Sequence, residues 1–289
     1  MAAVSAILLD AGGVLLFPDP DLMLPPLRAA GADPSPADLI RAHYSAMTET
    51  AGEQPVTSGW WASYLCRYVS ACGVPEDEVL PLAERMARTI YGFTWTHVGP
   101  GVRDALAALA GLGVPLGIVS NSDGEVQGWL ARLGLCYAPS APPAQTGSAP
   151  PAQTGTAPHA HIASAPHAQA ERRPRGKAGI EVGVVVDSAV VGVAKPDPAI
   201  FEIALDALGV PAADRGAAIH VGDALQYDVA GALAAGIVPV HLDPFGDCAA
   251  PGGHQHIRAL ADLVPLTGLV SRPGRRAHGG RRLPSSRQR

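Results

Sequence analysis

Short apolar runs and helical patterns alternate along most of this chain. A continuous apolar run from Val4 to Leu9 ends on Asp10, and Ala11 and two glycines follow, which predicts a buried strand and then a sharp turn. Similar apolar runs predict further short strands at residues 114–119, 180–186, 219–221 and 238–242. Helical spacing predicts helices at residues 101–113, 125–135, 195–208 and 228–235. Strands that alternate with helices indicate an α/β fold with a Rossmann-like parallel sheet and right-handed crossovers.

Residues 17–97 break this alternation. Helical spacing predicts three helices there, at residues 36–50, 58–72 and 76–92. Because the segment is inserted after the first strand, we expect a separate helical cap, placed as a lid over Asp10. The core then comprises residues 1–16 and 98–267. We interpret the bulky aromatic residues of the cap as packing residues: Trp60, Trp61, Tyr64, Tyr68 and Tyr91.

Two segments have compositions that do not suit a packed core. Residues 141–172 read as four octads of Ala, Pro and small polar residues, so we expect a disordered insert over residues 137–178. Its histidines, at positions 159, 161 and 167, can bind metal weakly, although a repeat expansion explains them more simply. The Arg-rich end of the chain, residues 268–289, is predicted to be a disordered basic tail.

Charge and cysteine content argue against several classes of function. The formal net charge is −5, and residues 271–289 contain seven Arg and no acidic residue, so the rest of the chain carries −12. An acidic body argues against a specific nucleic-acid partner. No apolar run is long enough to span a bilayer, and we expect a cytoplasmic protein without a membrane partner. The four cysteines form no CxxC pair, so we expect reduced thiols rather than a zinc site or a disulfide framework.

Polar and charged side chains lie at the ends of the predicted strands. The set is Asp10, Ser120, Asn121, Lys195, Asp223 and Asp228. Open α/β sheets bind ligands at the carboxyl ends of their strands, so we expect these residues to meet there. Taken singly, Asp10 and Asp223 also suit a turn, and Asp228 suits a helix surface. His220 and His241 lie at strand positions, and we interpret them as core histidines.

Lys195 has independent support. The chain contains two lysines, Lys177 and Lys195, against nineteen arginines. Where the choice of cation favours Arg so strongly, a Lys indicates that a compact point charge is needed. The alternative is a chance lysine on a solvated helix start.

Four segments in order resemble the motifs of the haloacid dehalogenase-like hydrolase superfamily. The likeness is greatest to its phosphatase-type members, which carry a helical cap. The segments are LLDAGGVL, GIVSNSDG, GVAKPDPAIF and HVGDALQYDVAGALAAG. Together they cover the chain from residue 4 to about residue 245. The resemblance implies a hydrolase of a small phosphorylated substrate.

The resemblance also implies a role for each residue. Asp10 is the expected nucleophile, which forms an aspartyl-phosphate that water then cleaves. Lys195 is expected to neutralise phosphate oxygens, while Ser120 and the backbone N–H at Asn121 bind them. Mg²⁺, which prefers hard oxygen ligands, is the expected cofactor. Its expected ligands are Asp10, the backbone carbonyl of Gly12, Asp223, and Asp228 directly or through water.

The chain departs from the family pattern at Gly12. Phosphatase members usually have an Asp at this position, where it protonates the leaving alcohol and activates water. Such general acid–base assistance contributes ~10²–10⁴ in rate, so we expect a slow phosphatase unless something substitutes. The candidates are Asp19, Asp21, a cap residue, or a substrate with a good leaving group, such as an acyl or aryl phosphate.

Other functions remain open. The 2-haloacid dehalogenases also lack that Asp, because halide leaves without a proton, but they need no Mg²⁺, whereas Asp223 and Asp228 indicate an intact metal site. Phosphonatase-like members use a cap lysine as a Schiff base, and residues 17–97 contain no lysine, which excludes that mechanism in its usual form. An alternative from a different class of function is a weakly catalytic module that binds a phosphorylated ligand. The missing acid/base favours this class, while Asp10 and Lys195 oppose it.

Overall fold

A computed structural model describes residues 3–49, 58–89, 95–139, 179–249 and 252–268 of the chain. The predicted basic tail lies outside the described residues except for its first residue, and so does the predicted insert except for residues 137–139. Tyr91 and the side chains of Trp60 and Trp61 also lie outside them.

The strands and helices of the described residues are short. The strands are β1 (Ile7–Leu9), β2 (Leu16–Pro18), β3 (Trp95–Val98), β4 (Leu116–Ser120), β5 (Cys136–Tyr137), β6 (Ile180–Glu181), β7 (Val184–Asp187), β8 (Ile219–Gly222), β9 (Val238–Leu242) and β10 (Gln255–Ile257). The α-helices are α1 (Pro20–Ala29), α2 (Pro36–Glu49), α3 (Ser58–Ala71), α4 (Glu76–Thr89), α5 (Val102–Ala110), α6 (Val126–Arg132), α7 (Ser188–Val191), α8 (Ala199–Ala207), α9 (Ala230–Ala234) and α10 (Leu263–Leu266). Two 3₁₀ helices (Ala212–Ala217 and Leu260–Asp262) and one π-helical turn (Leu225–Val229) complete the set. Among the described helices, none has both the length and the hydrophobicity that a membrane-spanning segment needs.

Six strands form one parallel sheet in the order β10-β9-β8-β1-β4-β7. An apolar core covers each face of the sheet. Neighbouring residues of a strand point to opposite faces, so one strand contributes to both cores. In β1, Ile7 and Leu9 pack into one apolar core, whereas Leu8 packs into another. This burial on both sides explains the continuous apolar runs and confirms the predicted α/β, Rossmann-like fold.

One predicted strand is divided in the structure, and one edge strand was not predicted. The apolar run at 180–186 is divided, because β6 pairs with β5 in a separate small sheet while β7 joins the main sheet beside β4. The edge strand β10 escaped the sequence analysis because its sequence, Gln255 to Ile257, buries one side chain of three. An edge strand with two exposed residues carries little hydrophobic signal.

Helices α1 to α4 lie between β2 and β3, which pair as an antiparallel ribbon. Helix α2 packs against α3, and α3 packs against α4. Tyr64 and Tyr68 are buried in the apolar core of these helices, as expected of packing residues. Helix α1 is an addition to the prediction: Asp19 caps it and Pro20 occupies its first turn, where the missing N–H is harmless. We call α1 to α4 the helical cap, although its action as a lid stays a prediction.

Candidate active site

Three polar strand ends meet at the carboxyl edge of the central sheet. Strand β1 lies between β4 and β8, and Leu9 pairs in register with Ile118 and with Val221. The residues that follow these positions are therefore neighbours, and the backbone N–H of Asp10 donates to the carbonyl of Val221 at 2.8 Å. Asp10, like Ser120 and Asp223, is buried at this edge. Parallel sheets of this type bind ligands at this edge.

Lys195 reaches the same place from the loop between α7 and α8. Its Nζ lies 2.8 Å from Asp10 Oδ2 and 2.6 Å from Asp228 Oδ1, and the side chain is 1% exposed. The alternative of a solvated lysine at a helix start is therefore wrong. A buried ammonium between two carboxylates is a paired charge, which is the form in which proteins bury lysine.

Asn121 holds the backbone of Lys195 from the neighbouring strand end. Its Nδ2 donates to the Lys195 carbonyl at 2.9 Å, and its Oδ1 accepts from the Lys195 N–H at 2.8 Å. The Asn121 side chain therefore positions the lysine, and phosphate binding by the Asn121 backbone N–H stays a prediction. Asp187 supports the same loop by accepting from the N–H groups of Gly124 and Ala189, each at 3.0 Å.

Two glycines allow the aspartates after β8 to pack against the backbone. A side chain at Gly222 would overlap the Asp228 side chain, and one at Gly13 would overlap the Asp223 carboxylate. Gly13 also has a φ of +69°, which glycine adopts without strain. The π-helical turn at Leu225–Val229 carries Asp228 back over Gly222. Such turns are frequent at functional sites.

The electrostatics of this site are dominated by carboxylate charge. We call Asp10, Asp223 and Asp228, with Lys195, the carboxylate cluster. Burial raises the pKa of Asp10 to about 7, with Asp228 and Asp223 adding to the rise and Lys195 opposing it. Burial lowers the pKa of Lys195, but the two carboxylates it touches raise it by more. Burial alone would raise the pKa of Asp228, yet Lys195 and His220 hold it below its usual range.

The carboxylate cluster fits a divalent cation. One carboxylate oxygen from each aspartate lies within 4.8 Å of the other two. Three carboxylates are grouped with a single ammonium, so a bound cation would offset the excess negative charge of the site. Oxygen donors of this kind suit Mg²⁺. Asp228 is the least available of the three, because its oxygens already accept from Lys195, from His220 at 2.8 Å and from the Ala224 N–H at 3.0 Å.

Two residues of the helical cap reach the cluster, and the sequence analysis did not identify them. His43 Nε2 lies 2.8 Å from Asp223 Oδ2, and its Nδ1 lies 2.9 Å from the Tyr64 hydroxyl. Tyr44 donates from its hydroxyl to the Gly13 carbonyl at 2.6 Å. Both are on α2 and buried, so a sequence pattern assigns them to helix packing. Their partners are far away in the chain, and no local spacing marks them.

The other predicted residues are in different environments. Asp19 caps α1 and accepts from the Thr96 hydroxyl at 2.7 Å, and Asp21 is exposed in the first turn of α1. His220 and His241 are buried as expected, but both also touch the site. His220 contacts Asp228, and His241 Nε2 lies 3.1 Å from the backbone carbonyl of Asp223.

Comparison with known proteins agrees with this geometry. The family profile of haloacid dehalogenase-like hydrolases matches residues 158–236, a range that includes Lys195, Asp223 and Asp228. The human haloacid dehalogenase-like hydrolase domain-containing protein 3 is 25% identical over 265 residues, which is 86% of each chain. The chain is therefore similar to haloacid dehalogenase-like hydrolases.

Solved structures share the fold of this chain. The magnesium-bound structure of the putative HAD-hydrolase YfnB from Bacillus subtilis is similar with a TM-score of 0.51 and 15% identity, over 92% of this chain and 99% of that one. The structure of a dehalogenase with an intermediate complex is similar with a TM-score of 0.50 and 17% identity, over 94% of this chain and 100% of that one. These likenesses support the parallel-sheet fold that the hydrolase motifs predicted.

Proposed function

We propose that this hydrolase cleaves a small phosphorylated metabolite, with Asp10 as the nucleophile and Mg²⁺ as the cofactor. The observation that carries the proposal is the 2.8 Å contact between Lys195 Nζ and Asp10 Oδ2 at the ligand-binding edge of the sheet. Attack on a phosphoryl group requires a nucleophile next to a positive charge, because the charge on the phosphoryl oxygens must be neutralised.

In the proposed reaction, a carboxylate oxygen of Asp10 attacks phosphorus. The bond from phosphorus to the leaving oxygen breaks, and its electron pair stays on that oxygen. Water then attacks phosphorus and loses a proton to solvent, and the bond from phosphorus to Asp10 breaks, which releases inorganic phosphate and restores the carboxylate. Throughout, Lys195, the Ser120 hydroxyl and the Asn121 backbone N–H hold the phosphoryl oxygens.

The proposed Mg²⁺ ligands are Asp10, the carbonyl of Gly12 and Asp223. Bound Mg²⁺ supplies positive charge that stabilises the phosphoryl oxygens. We propose that Asp228 contributes mainly by holding Lys195, because its oxygens are already engaged. His43 holds Asp223 in turn.

The proposed substrate has a leaving group that departs with little protonation, such as an acyl or aryl phosphate. Gly12 offers no side-chain acid, and Asp19 is engaged with α1 and Thr96. His43 is 1% exposed, and both of its ring nitrogens already have partners. We therefore expect acetyl phosphate and para-nitrophenyl phosphate to be hydrolysed much faster than glycerol phosphate.

The test is hydrolysis of para-nitrophenyl phosphate by the full chain, with Mg²⁺ and with EDTA. We expect turnover that depends on Mg²⁺ and falls about 10³-fold or more in Asp10→Asn, because the nucleophile is lost. Asp77→Asn, at an exposed position in the first turn of α4, is the matched control and should behave like the parent. Equal rates in Asp10→Asn and the parent, on both aryl and acyl phosphates, would overturn the proposal.

A 2-haloacid dehalogenase is the second candidate, and Gly12 is the observation that favours it. Carboxylate displacement of halide needs no acid at this position, since halide leaves without a proton. Release of halide from 2-chloropropionate, lost in Asp10→Asn and indifferent to EDTA, would establish this activity instead. Phosphate binding without turnover would indicate a module that binds a phosphorylated ligand.

A further inference from the structure

A second group of metal-ligating side chains lies outside the active site, at the end of β9 and along the edge strand β10. We call His241, Cys248, His254 and His256 the imidazole–thiol cluster. One donor atom of each residue lies within 4.8 Å of those of the other three. Cys248 Sγ lies 3.7 Å from His254 Nε2, and the rings of His254 and His256 have centroids 4.6 Å apart. Three imidazoles and a thiol in such a small space form a complete set of soft and borderline ligands.

His241 has a nitrogen that needs a partner. Its Nε2 lies 3.1 Å from the backbone carbonyl of Asp223, and a carbonyl oxygen accepts, so Nε2 carries the hydrogen. The neutral ring then has its lone pair on Nδ1. That atom is buried and has no hydrogen-bond partner among the described residues. Leaving such an atom unsatisfied is unfavourable, and a metal ion would satisfy it.

His256 is oriented in the way that metal-ligating histidines usually are. Its Nδ1 lies 3.3 Å from Asp243 Oδ2, and a carboxylate accepts, so the hydrogen is on Nδ1 and the lone pair is on Nε2. A carboxylate behind the imidazole fixes the tautomer and the direction of the ring. Asp243 also accepts from the N–H groups of Gly246 at 2.9 Å and Asp247 at 3.0 Å, which shapes the turn before Cys248.

We propose that His241, Cys248, His254 and His256 bind one Zn²⁺ ion in a tetrahedral site that stabilises the segment from β9 to β10. Zinc with three nitrogens and one sulfur has ligand atoms about 3.3–3.6 Å apart. The pair at 3.7 Å is already close to this spacing, and the widest pair, at no more than 4.8 Å, needs to shorten by at most about 1.5 Å. Four protein ligands leave no open position, which is typical of a structural site. Mg²⁺ prefers oxygen donors, so this cluster and the carboxylate cluster select different metals.

The position of the cluster gives the zinc a role. His241 is directly behind the backbone of Asp223, a proposed Mg²⁺ ligand. The turn that leads to Cys248 touches the helical cap, because Asp247 forms an ion pair with Arg41 and the Arg41 guanidinium lies 4.4 Å from the centre of the Phe245 ring. An ion at the cluster would therefore stabilise a segment that contacts both the active site and α2.

The sequence expectation of no zinc site depended on the absence of a CxxC pair. The spacing here is His241, then Cys248 seven positions later, then His254 and His256. The most useful sequence signal for this site is the His-x-His pair after a cysteine. By itself, that pattern is only weak evidence for a zinc site. The meeting of His241 with the other three depends on the pairing of β10 with β9.

The test is metal content and Co²⁺ spectroscopy on the full chain after removal of metals by a chelator. We expect one Zn²⁺ per chain, and a Co²⁺ spectrum with the intense visible bands of tetrahedral geometry and a near-ultraviolet thiolate band. Cys248→Ser and His254→Ala should each weaken binding about 100-fold or more, since each removes a ligand. Cys66→Ser, another partly exposed cysteine, is the matched control and should bind like the parent.

Two further measurements separate this site from other sources of binding. A triple variant, His159→Ala with His161→Ala and His167→Ala, removes the histidines of the octad insert and should leave the stoichiometry unchanged. On the parent chain, Zn²⁺ should protect Cys248 but not Cys66 from alkylation, as read by peptide mass spectrometry, so the result does not depend on a variant that folds. Zinc binding that survives Cys248→Ser and is lost in the triple variant, or absent zinc with Cys248 unprotected, would overturn the proposal.

Discussion

The carboxylate cluster and the imidazole–thiol cluster differ in chemistry, depth and origin. The first is built of buried oxygens around Lys195, and its members come from positions 10 to 228 of the chain. The second is built of nitrogen and sulfur ligand atoms, and all of its members come from residues 241–256. Its side chains range from buried, at His241, to exposed, at His256. A hydrogen bond between His241 and the Asp223 carbonyl joins them.

This difference shows how two sites in one chain can select different metals. Hard oxygen donors suit Mg²⁺ and keep some of its waters, which leaves room for a substrate. Imidazole and thiolate donors suit Zn²⁺ and fill its coordination sphere, which leaves none. The proposed catalytic role of the first cluster and the proposed structural role of the second match these donor sets.

The largest expected effect is in the carboxylate cluster. Lys195→Met should lower the free energy of unfolding by about 3–5 kcal/mol, because it leaves Asp10 and Asp228 buried without their cation. The measurement is urea unfolding of the metal-free protein at neutral pH. Lys177→Met, at the other lysine of the chain, is the matched control and should not change the midpoint. A loss below about 1 kcal/mol in Lys195→Met would mean that the lysine is not what holds this cluster together.

The second prediction is that each cluster binds its own metal. A metal at 100 times its Kd stabilises the folded state by about 2.7 kcal/mol, which is several degrees in Tm. Mg²⁺ should raise the Tm of the parent and of Cys248→Ser, but not that of Asp223→Asn. Low concentrations of Zn²⁺ should raise the Tm of the parent and of Asp223→Asn, but not that of Cys248→Ser. Thermal unfolding at fixed protein concentration measures both. If either variant abolished both shifts, the two clusters would be one site.

The smallest expected effect concerns Gly12, where the carboxylate cluster lacks a side chain. A Cβ at Gly12 meets the Trp95 ring at 3.6 Å, an ordinary contact, so an aspartate can be accommodated. Gly12→Asp should raise kcat on glycerol phosphate about 10-fold or more, because it adds an acid for the leaving alcohol. Gly12→Asn, of equal size and without the acid, should give no such gain. An aspartate variant no faster than the parent on alkyl phosphates would contradict the prediction.

Much of the active site was predictable because the motifs follow strands. A polar residue that ends an apolar run lies at the carboxyl end of a strand, and parallel strands bring their carboxyl ends to the same edge of the sheet. Asp10 and Asp223 follow β1 and β8 in this way. Lys195 and Asp228 were identified instead by the family resemblance and, for Lys195, by the scarcity of lysine in the chain. The details were not predictable: Asn121 holds Lys195 rather than facing a ligand, and His43 reaches Asp223 from a helix 180 residues earlier in the chain.

The sequence by itself determined the α/β class, the inserted helices, and which residues carry the candidate chemistry of the carboxylate cluster. These follow from local periodicity, since each strand or helix must bury its own apolar face. Only the tertiary structure decided that Lys195 is buried between two carboxylates, that α2 supplies His43, and that four residues around β10 form a second cluster. Those contacts join segments that are far apart in the chain and share no common pattern, so no local periodicity specifies them.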